Sequence, residues 1–488
     1  MTSGGKAPAE PAAGPLLPLT FPGRLPLAVC LLLAYAGLVV FGAAHHTMWR
    51  DEIQAWLIAR DSADLPALLH NLRYEGHPAL WHVVIWPFAR LGRDPALMQI
   101  LNIAFSIATV ALVLWRAPFN RWELALFPFG YFILFDYGVK SRSYALGTLL
   151  TVGACALWPY RRSHPIHLAG VLACLANVHL LFAILSGALA TAVAVDRLRT
   201  RGWTPPQRGE VLALVLLAVG WTVAVATAWP AADAFSGRAL LAPDTSQLIW
   251  QVMALGGLIG PYDSLPATAL GTAALVAAFV MIRREPAAVI LLGLATGLML
   301  ALFIVVHGNN IWHRGPLLLA FIAALWIARL SPGAARDATA GAGRMLLVTV
   351  LACQAVAGLI ALRKGLHQPL SAGPAVARHI LTQGWQNDPL IGTPDQSVST
   401  IVGHLGIARA YYGNVGRWGS FVLWDRARVT PREIATMLHD VEALPRPTTL
   451  VTTAPLDPGL AALHGFREVA RFDNAVERSE RFVLYRRE

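Results

Sequence analysis

Apolar runs long enough to cross a bilayer alternate with short polar segments through most of the chain. The first, Leu25 to Ala44, follows Arg24 and exceeds the length of a signal-peptide core, so it reads as an uncleaved span, with cleavage after Ala44 as the alternative. Further runs begin near Ala96, Trp122, Tyr144, His167, Leu180, Val211, Leu265, Pro286, Gly315 and Met345, which makes about eleven spanning helices. One segment breaks the series. Pro78 to Leu91 (PALWHVVIWPFARL) is short, is interrupted by Pro87 and carries Trp81, His82 and Trp86, which predicts a helix lying in the plane of the interface. Ahead of the first run, residues 1–22 are rich in Gly, Pro and Ala without apolar periodicity, and a disordered cytoplasmic tail is expected.

Beyond the transmembrane region, residues 23–364, the period of the pattern shortens. LIGTP (390–394), GSFVLW (419–424), TTLVTT (448–453) and RFVLY (481–485) predict strands. Thr430 is placed to cap a helix from Pro431, with Glu433 at the capping-box spacing. Residues 365–488 therefore read as an α/β domain. It has no internal repeat and no Gly-rich nucleotide loop, which points to recognition or support. The fold class is thus a polytopic α-helical membrane protein with a C-terminal α/β domain.

Composition agrees with that reading. Of 488 residues, 56% are hydrophobic and 14% charged, so the bilayer is the main solvent. The net charge of +11 would suit nucleic acid were it clustered, but it lies in short loops: 116–121, 161–162, 197–208, 283–284 and 329–344. These fall between alternate pairs of spans, and the positive-inside rule puts all of them in the cytoplasm. The N-terminus is then cytoplasmic and the C-terminal domain extracytoplasmic, with Arg363 and Lys364 running against the bias. Cys30, Cys155, Cys174 and Cys353 sit in apolar runs as small hydrophobes, with no disulfide framework or zinc spacing.

The candidate chemistry maps to the outer face. HHTMWRDEIQAWLIARD (45–61) and LRYEGHPALWH (72–82) put Asp51, Glu52, Glu75 and His77 just above the membrane. These carboxylates suit acid/base or metal work, or Asp51 and Glu52 simply favour a helix N-terminus. FDYGVKSRSYAL (135–146) supplies Asp136, Lys140 and Arg142, and HGNNIWHRG (307–315) supplies His307, His313 and Arg314. The cations either snorkel or hold an anion. His179 is the ionisable residue nearest an apolar centre, either a neutral core histidine or a site residue.

This order of features, a first span, RDE at 50–52, EGHP at 75–78 and SRSY at 141–144, resembles the GT-C glycosyltransferases that use lipid-phosphate sugars: protein mannosyltransferases, aminoarabinose transferases and Rgt-like lipopolysaccharide transferases. Ser143 stands where that group usually has Pro. The resemblance implies Asp51, with Glu52 beside it, as the base or metal-associated residue, and Asp136 as the second-loop acidic residue. The chemistry of such a transfer makes Lys140, Arg142, His313 and Arg314 candidates for the donor phosphate, and Glu75, His77, Tyr144, His179 and His307 are expected around the substrate. A divalent metal, Mg or Mn, held by Asp51 and Asp136 suits those oxygen ligands, although the cations can serve a monophosphate without it. The implied donor is a polyprenyl-phosphate sugar, and the acceptor a glycan, lipid or protein. The implied place is a bacterial-type inner membrane. Two other classes compete. A flippase for lipid-linked sugars predicts repeat symmetry and mid-membrane charge, of which the sequence has little. A non-catalytic envelope assembly protein makes the outer carboxylates dispensable.

Overall fold

The computed structural model describes residues 25–235, 248–305, 309–331 and 340–488; the tail expected over 1–22 lies outside them. The chain begins with α1 (Leu25–His45), followed by three short helices, α2 (Arg50–Asp61), α3 (Leu65–Leu72) and α4 (Leu80–Ile85). After α5 (Ala96–Arg116) come α6 (Arg121–Leu126), a 3-10 turn over Phe127–Phe129 and a π-helix over Tyr131–Val139. Then follow α7 (Tyr144–Leu157), α8 (Pro165–Ala176), α9 (Leu180–Arg201), α10 (Arg208–Ala228), the short α11 (Leu248–Val252), α12 (Leu265–Ile282), α13 (Pro286–Val305), α14 (Gly315–Arg329) and α15 (Ala340–His367).

Among the described residues, eight helices are long and apolar enough to span: α1, α5, α9, α10, α12, α13, α15, and α14 with the turn before it. The chain is a multi-pass membrane protein. The other three runs predicted to span are shorter or broken, for local reasons. Pro128 lacks an N–H and Gly130 follows it, so the run from Trp122 changes helix type twice. The run from Tyr144 stops as an α-helix at Leu157, before Pro159, and the one around His167 stops at Ala176. At 1.5 Å per residue these last two rise about 21 and 18 Å, against a hydrocarbon core of about 30 Å. The segment from Pro78 splits at Pro87 into α4 and a 3-10 turn over Phe88–Arg90, both too short to cross.

Ion pairs tie several of the basic loops to one another or to neighbouring helices. Arg329 forms a two-armed pair with the buried Glu123 at 2.7 and 2.8 Å, joining the first and last of these loops. Asp196 takes Arg161 at 2.8 Å and Arg162 at 3.0 Å, and Glu210 takes Arg197 at 3.1 Å. Helix α10 turns Leu214, Val215 and Val219 outward, as lipid contact requires, and exposed Trp203 and Trp229 flank its ends like interfacial anchors. Its inner side packs on α8 at Gly220, where an added Cβ would lie 2.5 Å from that of Ala173. There the Asn177 amide donates to the Gly220 carbonyl at 2.8 Å.

The C-terminal domain opens with α16 (Gly373–Thr382) and holds a six-stranded mixed sheet. Its strands are β1 (Leu390–Thr393), β2 (Ala410–Tyr412), β3 (Arg417–Gly419), β4 (Thr448–Thr452), β5 (Arg467–Phe472) and β6 (Phe482–Arg487), in the order β3-β2-β1-β4-β6-β5. Helix α17 (Asp395–Leu405) lies between β1 and β2. Three of the four predicted strands stand where expected. The fourth does not: GSFVLW contributes only Gly419 to β3, and residues 420–424 leave the sheet to meet the transmembrane domain. The helix expected from Pro431 starts three residues later as α18 (Ile434–Asp440), with Glu433 and not Thr430 at its cap position. A last helix, α19 (Pro458–Leu463), precedes β5.

The two domains are joined along α2. Thr47 Oγ1 accepts from the N–H groups of Leu370 and Ser371 at 2.8 and 3.1 Å, and His404 Nε2 bonds the Met48 carbonyl at 3.1 Å. The buried Glu480 accepts from Arg50 N–H at 3.3 Å, Thr400 Oγ1 at 3.2 Å and Ser371 Oγ at 2.6 Å.

This arrangement sets a labelling test. In a background lacking the native cysteines, Ala63→Cys and Asn310→Cys should react with an impermeant thiol reagent from one side of the membrane, and Thr204→Cys only from the other. Labelling of all three from one side would refute the assignment of the basic loops to the opposite end.

Candidate active site

Where the α2 end of the bundle meets the C-terminal domain there is a cleft of about 550 Å³. Arg50, Asp51, Gln54, Glu75, His77 and Arg142 line one side of it, His179, Trp312 and His313 another, and Gln396, Ser399, Val422 and Trp424 the third.

Asp51 projects from the first turn of α2. That turn is fixed by Glu52, whose Oε2 accepts from Trp49 N–H at 3.3 Å, half of a capping box. The same oxygen bonds His46 Nε2 at 2.7 Å, while Oε1 accepts from Ser141 N–H at 2.6 Å. Burial by itself would raise the Glu52 carboxyl, but His46, the Ser141 N–H and Lys140 outweigh it and hold it below the ordinary range. Glu52 is fully buried and does not reach the cleft. It staples the 140–142 turn to the start of α2, which sets Arg142 against Asp51 at 3.4 Å. The Arg142 guanidinium also lies 5.2 Å from the ring centres of both Tyr144 and Trp312. Flat aromatic faces suit its planar cation, so its position is defined on three sides.

Glu75 enters from the loop after α3. Its Oε1 accepts from Gln54 Nε2 at 2.8 Å. Burial pushes its carboxyl up to about 7; the Gln54 bond opposes the rise and neighbouring Asp51 adds to it. A carboxyl in that range exchanges protons near neutrality, unlike an ordinary glutamate.

The histidines form a wall of rings. His77 and His179 stand 4.5 Å apart centre to centre, and His179 and His313 6.0 Å. His179 caps α9, its Nδ1 accepting from Leu181 N–H at 3.2 Å, and Trp312 Nε1 donates to His313 Nε2 at 3.1 Å.

Of the residues expected from the sequence, Asp51, Glu75, His77, Arg142, His179 and His313 meet in this cleft. Glu52, Asp136, Lys140, Tyr144 and Arg314 do not line it, and His307 lies outside the described residues. Asp136 is buried in the π-helix and accepts from Lys140 Nζ at 2.8 Å, so these two neutralise each other. Tyr144 stacks on Tyr137 at 4.7 Å, behind Arg142. The Arg314 guanidinium is taken up by Asn309 and Asp263, which folds the turn that presents Trp312 and His313. Asp51 and Asp136 are each engaged by a cation already. Among the described residues no three His, Cys, Asp or Glu side chains gather as metal ligands.

Sequence reasoning missed Gln54 and the whole C-terminal side of the cleft. Only the apolar 420–424 segment carries a signal, and its pattern predicts a strand.

No family model and no curated protein matches the sequence. Solved structures do match. ArnT from Cupriavidus metallidurans bound to undecaprenyl phosphate superposes with a TM-score of 0.52 at 15% identity, covering 96% of this chain and 98% of that one. The apo form of the same protein gives 0.51 at 16% identity, covering 95% and 98%. Arabinofuranosyltransferase AftD from Mycobacteria follows at only 0.40 and 13%, with 40% of its length covered. Over nearly its whole length, this chain has the fold of ArnT, the GT-C-type fold that the resemblance in its outer loops implied.

Proposed function

We propose that the chain is a membrane glycosyltransferase that moves a sugar from a polyprenyl-phosphate-linked donor to a hydroxyl group of a lipid, glycan or protein acceptor. The reaction is placed at the outer face of a bacterial-type inner membrane, with the N-terminus cytoplasmic. The observation that carries this reading is the convergence in one cleft of a cation, Arg142, with two carboxylates in unlike environments, Asp51 and Glu75. The shared fold with ArnT, a protein solved with undecaprenyl phosphate bound, makes that carrier lipid the first donor scaffold to test.

In transfer, the bond from the anomeric carbon to the phosphate oxygen breaks and a bond to the acceptor oxygen forms. The electron pair leaves with the phosphate, and the acceptor proton must be taken up. Arg142 is the group to receive the phosphate charge through paired N–H bonds. Glu75 takes the proton, since its carboxyl is pushed up to about 7. Asp51 sits between them, able to orient the acceptor hydroxyl and to balance Arg142. Carboxylates whose surroundings set them apart in this way divide acid/base from electrostatic work.

The test is mass spectrometry of envelope lipids and glycans from cells with and without the chain. It is paired with purified protein supplied with a panel of undecaprenyl-phosphate sugars and an envelope-lipid extract. One missing sugar in the deletion, restored in vitro with release of undecaprenyl phosphate, is the expected result. An unchanged envelope and no release from any donor would reject the reading.

A further inference from the structure

Gln54 has no place in the reaction above, yet its amide is fully engaged and almost wholly buried, 8% exposed. Its Oε1 accepts from the Val422 N–H at 2.9 Å, and its Nε2 donates to the Val422 carbonyl at 2.8 Å and to Glu75 Oε1 at 2.8 Å. A primary amide has two N–H groups, and both are used. The bonds to both backbone groups of one residue also fix which way the amide points. A flip would set oxygen against oxygen and N–H against N–H.

Val422 is itself held in place. Phe235 N–H donates to the Trp424 carbonyl at 2.7 Å, and Arg426 N–H to the Asp233 carbonyl at 2.9 Å. The same short stretch after α10 grips the loop that carries Glu75, with Ala231 N–H on the Arg73 carbonyl at 3.1 Å and Tyr74 Oη on Asp233 at 3.1 Å. The 420–426 segment of the C-terminal domain and the Glu75 loop therefore share one frame, and Gln54 closes it on the carboxylate.

We propose that Gln54 is a positioning residue: its amide, oriented by the backbone of Val422, aims one N–H at Glu75, so the C-terminal domain is a working part of the active site. The inference rests on the reading of Glu75 as proton acceptor. Loss of the amide leaves the carboxylate with one donor fewer and free to swing from the acceptor hydroxyl, while the phosphate side of the cleft keeps its contacts.

Gln54→Met keeps side-chain length but has no N–H. It is expected to lower kcat about 10–100-fold, the scale of one lost hydrogen bond to a charged group. KM for the undecaprenyl-phosphate sugar used by the wild type, and the stoichiometry of undecaprenyl phosphate binding, should stay within about twofold. Gln54→Glu still accepts from Val422 but faces Glu75 with a like charge, and is expected to be at least as slow. A wild-type kcat in either variant overturns the proposal, as does a loss explained entirely by fewer molecules competent to bind undecaprenyl phosphate. Glu75→Gln, measured alongside, separates the two readings. A fully active Glu75→Gln removes the role given to Glu75, whereas an inactive Glu75→Gln with a normal Gln54→Met removes only the role given to Gln54.

Discussion

Glu75→Gln is expected to slow transfer by about 10²–10⁴-fold, the usual worth of a positioned general base, with little change in thermal stability. The substitution preserves shape and removes only the capacity to take a proton. Because burial pushes this carboxyl up to about 7, the wild-type rate should climb as pH rises through about 7 and level off above it. The sign follows from the role: the deprotonated form accepts, and the form that dominates below 7 cannot. In Glu75→Gln that limb should vanish from whatever rate remains. A substituted enzyme with the wild-type rate and the same limb would assign the proton to another group, with Asp51 next in line.

The second large effect is expected at Arg142. Arg142→Ala removes the cation set against Asp51 and between the Tyr144 and Trp312 rings, and should cost about 10²–10³-fold in transfer, comparable to losing one preorganised donor to a developing anion. Arg142→Lys should recover part of that, because an ammonium keeps the charge but not the planar pair of donors. The defect in the alanine variant should persist as salt is raised, since a direct contact is screened far less than a long-range field. Arg314→Ala provides the contrast. Its guanidinium is spent on Asn309 and Asp263, so its removal should lower the melting temperature and disturb the 309–314 turn. Full transfer activity in Arg142→Ala would leave the phosphate site unassigned.

The parts of this architecture that were legible in the sequence are those written locally. Apolar length marked the long helices, because it is a property of contiguous stretches. The short motifs around Asp51, Glu75 and Arg142 were legible for the same reason. Which of the charged residues face the cleft was not. Glu52 and Asp51 are neighbours in the chain, yet one is buried under His46 and Ser141 while the other opens to the cleft. Arg142 and Arg314 look equivalent as outer-loop arginines, but Asp263 and Asn309 occupy the second. Gln54 meets Val422 across 368 positions of sequence, and no local pattern reports so distant a partner. The 420–424 segment misled for a related reason: its apolar residues do pack, but against another domain instead of within a sheet.

The lengths of α7 and α8 bear on where the chemistry sits relative to the lipid. Asn177, just past the end of α8, bonds Gly220, which lies eight residues before the end of α10 at Ala228. At 1.5 Å per residue that is about 12 Å down a helix long enough to cross the membrane. His179 follows two residues on, and Leu80 at the start of α4 donates to the Asn177 carbonyl at 2.9 Å. In the orientation proposed above, with the end of α10 at the outer surface, the floor of the cleft would be sunk into the outer leaflet, like a dock cut below the waterline. A carrier lipid could present its headgroup there without being hauled out of the bilayer, and its isoprenoid tail would stay among the acyl chains. Turnover should then respond to leaflet thickness, since a thicker membrane drowns the floor and a thinner one strands it above the headgroups.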